Sequence, residues 1–203
     1  MLDLHARKYA EKVTGPIGKA LHKIGVSADA LTVLGLFVAI ATGFAVASGH
    51  HLLAAFGVAL AGVPDLLDGA IARASGKVNS RGAFLDSLFD RISDAALYIG
   101  AVWFYAHHEH AALASLAAIA MALSLLISYA RAIGEKMGFN VKGGIMERAE
   151  RLIVFGVSLA VGYLYIGLWI ICILGFITLI QRHMKIWKLA SEANGLNIRK
   201  SRK

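Results

Sequence analysis

The sequence has few charged residues and a single cysteine, and its first residues do not predict a cleaved signal peptide. Charged residues make up 17% of the chain and hydrophobic residues 58%, whereas soluble domains usually carry about 25% charged residues. This composition excludes an ordinary soluble domain. The one cysteine, Cys172, excludes an intramolecular disulfide. Residues 1–24 lack the continuous apolar core and the A-x-A-like site of a cleaved signal peptide.

Long apolar runs are present instead, and they predict an all-α, polytopic membrane protein. A helix needs roughly 20 apolar residues to cross the hydrocarbon layer. The runs predict six transmembrane helices, at residues 29–49, 52–74, 86–107, 111–133, 149–164 and 166–187, with the last boundary near Tyr165–Gly167. Residues 1–24 mix apolar and basic side chains, which indicates an N-terminal interfacial amphipathic helix. We therefore expect one membrane domain over 1–203, ending in a basic cytoplasmic tail at 188–203.

The distribution of Lys and Arg predicts the orientation of this domain. All 21 of them lie in the N-terminal segment, around two connections (between spans two and three and between spans four and five) and in the tail region. The three opposite connections contain none. Because cytoplasmic loops carry the excess of positive charge, we expect a cell (inner) membrane protein whose termini are both cytoplasmic. The basic face would contact phospholipid, and no nucleic-acid motif accompanies the charge.

Four aspartates lie near the cytoplasmic ends of the second and third spans. Asp65 and Asp68 are three residues apart, and Asp86 and Asp90 are four apart, so each pair projects from one helix face. Each charge would cost about 3 kcal/mol inside the bilayer if nothing neutralised it. Mg²⁺ and Mn²⁺ prefer carboxylate ligands, and two such ions can clamp a diphosphate during displacement. The pattern therefore predicts a two-metal phosphate site.

Two other classes of protein fit an acidic membrane helix less well. A scaffold would use polar and small residues for helix packing, but it would not need two turn-spaced acidic pairs. An ion-coupled transporter often carries internal repeats, and the sequence shows none. The discriminating observation is catalytic turnover at a phosphate, which an enzyme shows and a transporter or scaffold does not.

The acidic segment resembles the signature of the CDP-alcohol phosphotransferases. The pattern D-x-x-D-G-x-x-A-R, eight residues, G-x-x-x-D-x-x-x-D is met at Asp65, Asp68, Gly69, Ala72, Arg73, Gly82, Asp86 and Asp90. The resemblance implies that the four aspartates hold two ions, Mg²⁺ or Mn²⁺. It also implies that Asp90 acts as general base on the acceptor hydroxyl, which attacks the β-phosphate and expels CMP. Homodimers are implied as well.

The same resemblance implies residues that bind the cytidine diphosphate of the lipid. One group lies within the signature and the other in the turn that enters the first span. The expected residues are Asp29, Ala30, Leu31, Thr32, Gly69, Ala72, Arg73, Asn79 and Ser80.

The fourth and fifth spans carry a second resemblance, which concerns the acceptor alcohol. Residues 128–154 resemble the corresponding stretch of the actinobacterial phosphatidylinositol phosphate synthases within this family. That resemblance implies CDP-diacylglycerol and inositol 1-phosphate as substrates, with Arg131, Arg151 and Arg182 around the acceptor phosphate. Guanidinium groups suit a phosphate dianion because they can bind it bidentately. Ile133 stands where the family has arginine, so glycerol 3-phosphate is the alternative acceptor.

Arg148 lies in the same stretch but is expected to have a different role. We predict a cytoplasmic anchor that pairs with Glu147 or Glu150.

Overall fold

The structure is a computed structural model that describes residues 27–62, 80–141 and 143–201. This part of the chain contains helices and no strands, which confirms the all-α prediction. The described helices are α1 (Ala28–Ala47), α2 (His51–Gly62), α3 (Ser80–His107), α4 (Ala111–Lys136), α5 (Arg148–Ala160) and α6 (Leu164–Ser201). The amphipathic helix predicted at 1–24 lies outside the described residues. The basic segment expected as a tail continues α6 as far as Ser201.

Three tight turns join consecutive helices, and each contains one residue with a left-handed backbone. These are Gly49 (φ 75°), Glu109 (φ 63°) and Gly162 (φ 76°). A left-handed residue after a helix lets the next N–H reach back to a free carbonyl near the helix end. The N–H of Tyr163 donates to the carbonyl of Ser158 at 2.9 Å in this way. The last turn therefore lies at residues 161–163, and the boundary predicted near Tyr165–Gly167 is wrong because Gly162 closes α5 earlier.

Contacts near both ends of α3 show that α1, α3 and α5 run in the same direction. At the start of α3, a Cβ on Gly82 would lie 3.3 Å from Asp29 Oδ1 at the start of α1. Further along α3, the ring of Tyr98 packs edge-on against Phe155 of α5, with centroids 5.4 Å apart. The beginnings of these three helices therefore lie at one end of the bundle, and the three tight turns lie at the other.

Helices α4 and α6 also run side by side, in the direction opposite to α3. The thiol of Cys172 contacts the Leu116 carbonyl at 3.6 Å, and Arg182 donates to the Ile127 carbonyl at 2.7 Å. Both pairs advance together along the chain. The C-terminal parts of α4 and α6 consequently lie at the same end of the bundle as the beginnings of α1, α3 and α5.

Small residues allow α1 and α3 to approach closely. A Cβ on Gly43 would lie 2.5 Å from the Ala96 carbonyl oxygen, and one on Gly100 would overlap the Gly43 carbonyl. Close backbone approach over small residues is the usual packing mode of helices in lipid. The contact fixes α1 against α3 and so sets the position of Asp29 beside Gly82.

Within the described residues, three helical segments are long and apolar enough to cross a membrane: Asp29–Ala47, Ala111–Lys136 and Leu164–Ala193. Large apolar side chains such as Phe44, Phe56 and Trp187 are exposed on the outside of the bundle, as expected of a membrane-embedded protein. Helix α5 has 13 residues, which extend about 20 Å at 1.5 Å per residue. This is short of the hydrocarbon thickness of roughly 30 Å. The six-span layout therefore stays a prediction.

Candidate active site

Helix α3 carries two of the four predicted metal ligands. Asp86 and Asp90 lie one turn apart, both half-buried, and Gly82 lies one turn before them. The remaining expected residues of the signature segment, Asp65, Asp68, Gly69, Ala72, Arg73 and Asn79, lie outside the described residues. Within 27–62, 80–141 and 143–201, no three His, Cys, Asp or Glu side chains come together as a metal site. The four-aspartate cluster thus remains a prediction.

The carboxylates of α3 nevertheless have the chemistry that a hard divalent ion requires. Asp86 and Asp90 offer oxygen ligands on one helix face. Asp90 contacts two cationic side chains, those of Arg148 and Arg91. These residues therefore fit half of a divalent-metal site.

The start of α1 reaches the same site. The Ser27 hydroxyl accepts the Ala30 N–H at 3.1 Å and caps the helix, which starts α1 where Asp29 faces Gly82. Thr32 lines a small cavity of about 20 Å³ together with Asp90 and Arg148. The structure therefore brings Asp29 and Thr32 to the aspartates.

For the other described residues that are expected to bind cytidine diphosphate, the structure gives only their positions. Ala30 is exposed and Leu31 is half-buried. Ser80 is the first residue of α3.

Arg148 occupies the centre of the described site, where it pairs with Asp90 and Asp94 instead of the predicted Glu147 or Glu150. Its Nη1 lies 2.8 Å from Asp90 Oδ1, and its Nε donates to Asp94 Oδ1 at 3.2 Å. Glu147, one of its expected partners, instead pairs with Arg182. Asp94 is 54 residues away in the sequence, so only the packing of α5 against α3 creates this contact. The sequence signal that could have indicated this contact is the position of Asp94, one turn after Asp90 on the same helix.

Arg151 is almost completely buried between α5 and α3. The residue is only 2% exposed. Nη2 donates to Asp94 Oδ2 at 3.2 Å, and Nη1 donates to the Met146 carbonyl at 3.3 Å. Its Nε has no hydrogen-bond partner among the described residues. Because an unpaired buried donor is costly, this N–H is suited to an added anion.

Arg182 is held in a similar way on α6. It is 3% exposed, and its Nη1 and Nη2 donate to the Ile127 carbonyl at 2.7 Å and to Glu147 Oε1 at 3.0 Å. Its Nε, too, finds no acceptor in the described part of the chain. Glu147 also accepts the Gly143 N–H at 2.9 Å, which attaches the segment before α5 to α6.

Arg131 completes the cluster on α4. Its Nε lies 2.8 Å from Glu135 Oε1 on the same helix, and it is more exposed than the other two arginines. Arg182 reaches α4 at Ile127, one turn before Arg131, and binds Glu147, one turn before Arg151, so the three arginines lie on neighbouring helices at one end of the bundle. Each guanidinium already has one carboxylate partner, because buried charges require compensation.

An apolar groove lies between α2 and α5, beside the charged residues. Its volume is about 900 Å³, and it begins next to Arg148. Its walls are formed by small and apolar side chains, including Ala59, Leu152, Gly156 and Val157. The structure thus places an apolar groove beside a site made of carboxylates and guanidinium groups.

Comparison with known proteins gives consistent matches over most of the chain. The family model described as CDP-alcohol phosphatidyltransferase matches residues 26–186. The phosphatidylinositol phosphate synthase of Corynebacterium glutamicum is 36% identical over 192 residues, covering 90% of this chain and 87% of that protein. The residues that the family model matches include both the signature segment and residues 128–154.

Solved structures of the Mycobacterium tuberculosis phosphatidylinositol phosphate synthase have the same fold. The crystal structure with CDP-DAG bound superposes with a TM-score of 0.81 at 33% identity, covering 87% of this chain and 94% of that one. The complex with manganese and citrate gives 0.80 at 33% identity, covering 86% and 88%. These matches confirm the predicted family and class of enzyme. They also agree with the predicted lipid substrate, divalent ion and acceptor.

Proposed function

Because the chain belongs to the CDP-alcohol phosphatidyltransferase family, we propose that it transfers the phosphatidyl group of CDP-diacylglycerol to inositol 1-phosphate. The products are phosphatidylinositol phosphate and CMP. The observation that carries this proposal is the contact of Asp90 with Arg148 of α5, at the end of the bundle that also holds Arg151 and Arg182. A reaction between a diphosphate and a phosphorylated alcohol needs both groups within one site.

The metal ligands are proposed to be Asp65, Asp68, Asp86 and Asp90. Together they would hold two Mg²⁺ or Mn²⁺ ions between the second and third helices. When bound, such ions offset charge on the attacking and leaving oxygens of a displacement at phosphorus. The manganese found with the M. tuberculosis neighbour supports this assignment.

Asp90 is the proposed general base. It takes the proton from the acceptor hydroxyl, whose oxygen then attacks the β-phosphate of the CDP-lipid while the bond to CMP breaks. A base must stay ionised and lie within hydrogen-bond reach of that proton. Arg148 at 2.8 Å and Arg91 at 3.4 Å stabilise the carboxylate form of Asp90.

The CDP-lipid is proposed to lie along α1 to α3, with its acyl chains in the apolar groove. Asp29 and Thr32, both beside the aspartates, would contact the nucleotide. Their expected neighbours in binding are Ala30, Leu31, Gly69, Ala72, Arg73, Asn79 and Ser80. The groove between α2 and α5 would receive an acyl chain because its walls are apolar and it opens beside Arg148.

The acceptor phosphate is proposed to bind Arg131, Arg151 and Arg182. The unpartnered Nε donors of Arg151 and Arg182 support this, because an anion would satisfy both. Charge-assisted hydrogen bonds of this type are about twice as strong as neutral ones.

The membrane arrangement is proposed from the two ends of the bundle, one of which holds the tight turns and the other Asp90. We propose one domain of six spans, an interfacial N-terminal helix, and an active site on the cytoplasmic side of the cell membrane. The three tight turns lie together at the end opposite Asp90, and their segments are those without Lys or Arg. Excess positive charge stays cytoplasmic. A homodimer is part of the same proposal.

A direct assay tests the proposed function. Purified protein in detergent micelles, CDP-diacylglycerol and Mg²⁺ would be mixed with inositol 1-phosphate, glycerol 3-phosphate or free inositol. We expect CMP release with inositol 1-phosphate to exceed release with the other two. Preference for glycerol 3-phosphate would replace the acceptor while keeping the chemistry. Absence of CMP with all three would contradict the proposal.

A further inference from the structure

Four charged side chains form a continuous series of ion pairs between α3 and α5. Asp90 contacts Arg148 at 2.8 Å, Arg148 contacts Asp94 at 3.2 Å, and Asp94 contacts Arg151 at 3.2 Å. We refer to Asp90, Arg148, Asp94 and Arg151 as the relay. One end is the proposed general base, and the other is a proposed ligand of the acceptor phosphate.

The two inner members of the relay have defined and different geometry. One Arg148 guanidinium uses Nη1 for Asp90 and Nε for Asp94, so it bridges two carboxylates that lie one turn apart on α3. Asp94 uses Oδ1 for Arg148 and Oδ2 for Arg151. A planar guanidinium can hold two acceptors in fixed directions, whereas a lysine ammonium cannot.

Attachment of α5 to α3 alone is a poor explanation for this arrangement. Asp94 is 5% exposed and Arg151 is 2% exposed. Removing charges from water costs nearly as much as their attraction returns, so apolar residues of the same volume would hold the helices as well. The specific property of the relay is that it fixes the orientation of the outer two side chains.

We propose that Arg148 and Asp94 are positioning residues, which hold the Asp90 carboxylate at a fixed distance from the Arg151 guanidinium. An acceptor whose phosphate is bound by Arg151 then presents its hydroxyl to Asp90. The fixed distance also selects an acceptor by the separation between its phosphate and its reacting hydroxyl. This inference rests on the proposed function of Asp90 and Arg151.

The two positioning residues have separable effects. Arg148 touches the base and not Arg151, so its loss acts on turnover. Asp94 orients Arg148 and Arg151 together, so its loss acts on turnover and on acceptor binding. A displacement of about 1 Å in a reacting group can reduce the rate about 100-fold.

The test compares steady-state kinetics of Arg148→Gln, Arg148→Lys, Asp94→Asn and Arg148→Gln/Asp94→Asn with the unmodified chain, in the presence of Mg²⁺. For Arg148→Gln we expect kcat to fall about 100-fold, while the KM values of both substrates change less than about threefold. Arg148→Lys should recover part of kcat, because an ammonium can still hold Asp90. Lys188→Gln removes one positive charge from an exposed position on α6 and serves as the control.

Binding of inositol 1-phosphate, measured by calorimetry in the absence of CDP-lipid, separates the two roles. Asp94→Asn should weaken this binding, whereas Arg148→Gln should leave it within about threefold. The double variant should lose no more turnover than the more affected single variant, because both changes break the same relay. The preference for inositol 1-phosphate over glycerol 3-phosphate should decrease in Arg148→Gln.

Unchanged kcat in a folded Arg148→Gln protein would overturn the inference, as would independent, multiplicative effects in the double variant. If Asp94→Asn does not fold, the comparison of Arg148→Gln with Arg148→Lys still decides the role of Arg148. Failure of the unmodified chain to release CMP would instead contradict the proposed function. The two failures are therefore distinguishable.

Discussion

Arg182→Met gives the most direct test of the acceptor pocket. Methionine keeps much of the apolar length of arginine and removes the guanidinium. In the structure, Nη1 and Nη2 of Arg182 donate to the Ile127 carbonyl and Glu147, and Nε is a further donor without a partner among the described residues. A hydrogen bond to a charged group contributes about 1.5–3 kcal/mol. We therefore expect the KM for inositol 1-phosphate to rise roughly 10- to 150-fold.

The fold should survive this substitution. Glu147 loses its ion pair, but the Met146 N–H still donates to the Thr178 hydroxyl of α6 at 2.9 Å, so the segment before α5 remains anchored. CMP release would be measured while each substrate is varied in turn, with Lys188→Gln on the same helix as the control. The KM for CDP-diacylglycerol should change less than about twofold. Equal increases in both KM values, or no increase for inositol 1-phosphate, would refute the assignment of Arg182.

Three further predictions concern the base, the metal and the lipid groove. Asp90→Asn should reduce kcat by about 10²–10⁴, the usual contribution of a general base, with CDP-diacylglycerol binding retained; wild-type turnover would remove the assignment. EDTA should abolish CMP release and Mg²⁺ or Mn²⁺ should restore it; activity that persists after chelation would exclude the proposed ions. Ala59→Trp, which fills the groove wall, should raise the KM for long-chain CDP-diacylglycerol more than for a short-chain analogue, and an equal change for both would place the acyl chain elsewhere.

A fourth prediction in the same group concerns folding. Gly100→Ala places a methyl group against the Gly43 carbonyl, a backbone atom that cannot rotate away. Overpacking of this kind typically costs about 1–3 kcal/mol, so the Tm in detergent should fall by several degrees. An unchanged Tm would contradict this prediction, because it would show that α1 and α3 move apart to accept the methyl group with no loss of stability.

Whether a feature could be predicted from the sequence depended on how far apart in the chain the interacting residues lie. The positions of the helices followed from apolar runs, and the aspartates of α3 followed from a local pattern with a fixed spacing. The last turn was placed too late, because apolar residues continue through it and only the backbone of Gly162 ends α5. Arg148 was assigned to neighbours in the sequence, since nothing local indicates a carboxylate 54 positions away.

The sequence by itself determined an all-helical membrane protein, its family and the spacing of its signature residues, because apolar length and short spacings are local properties. The tertiary structure decided which charges neutralise one another. It paired Arg151 and Arg148 with Asp94 and joined Arg182 to Glu147, since these contacts arise only when α3, α5 and α6 pack side by side. The physical reason is the cost of burying a charge. Each buried group must find a partner, and that partner is fixed by helix packing instead of by position in the chain.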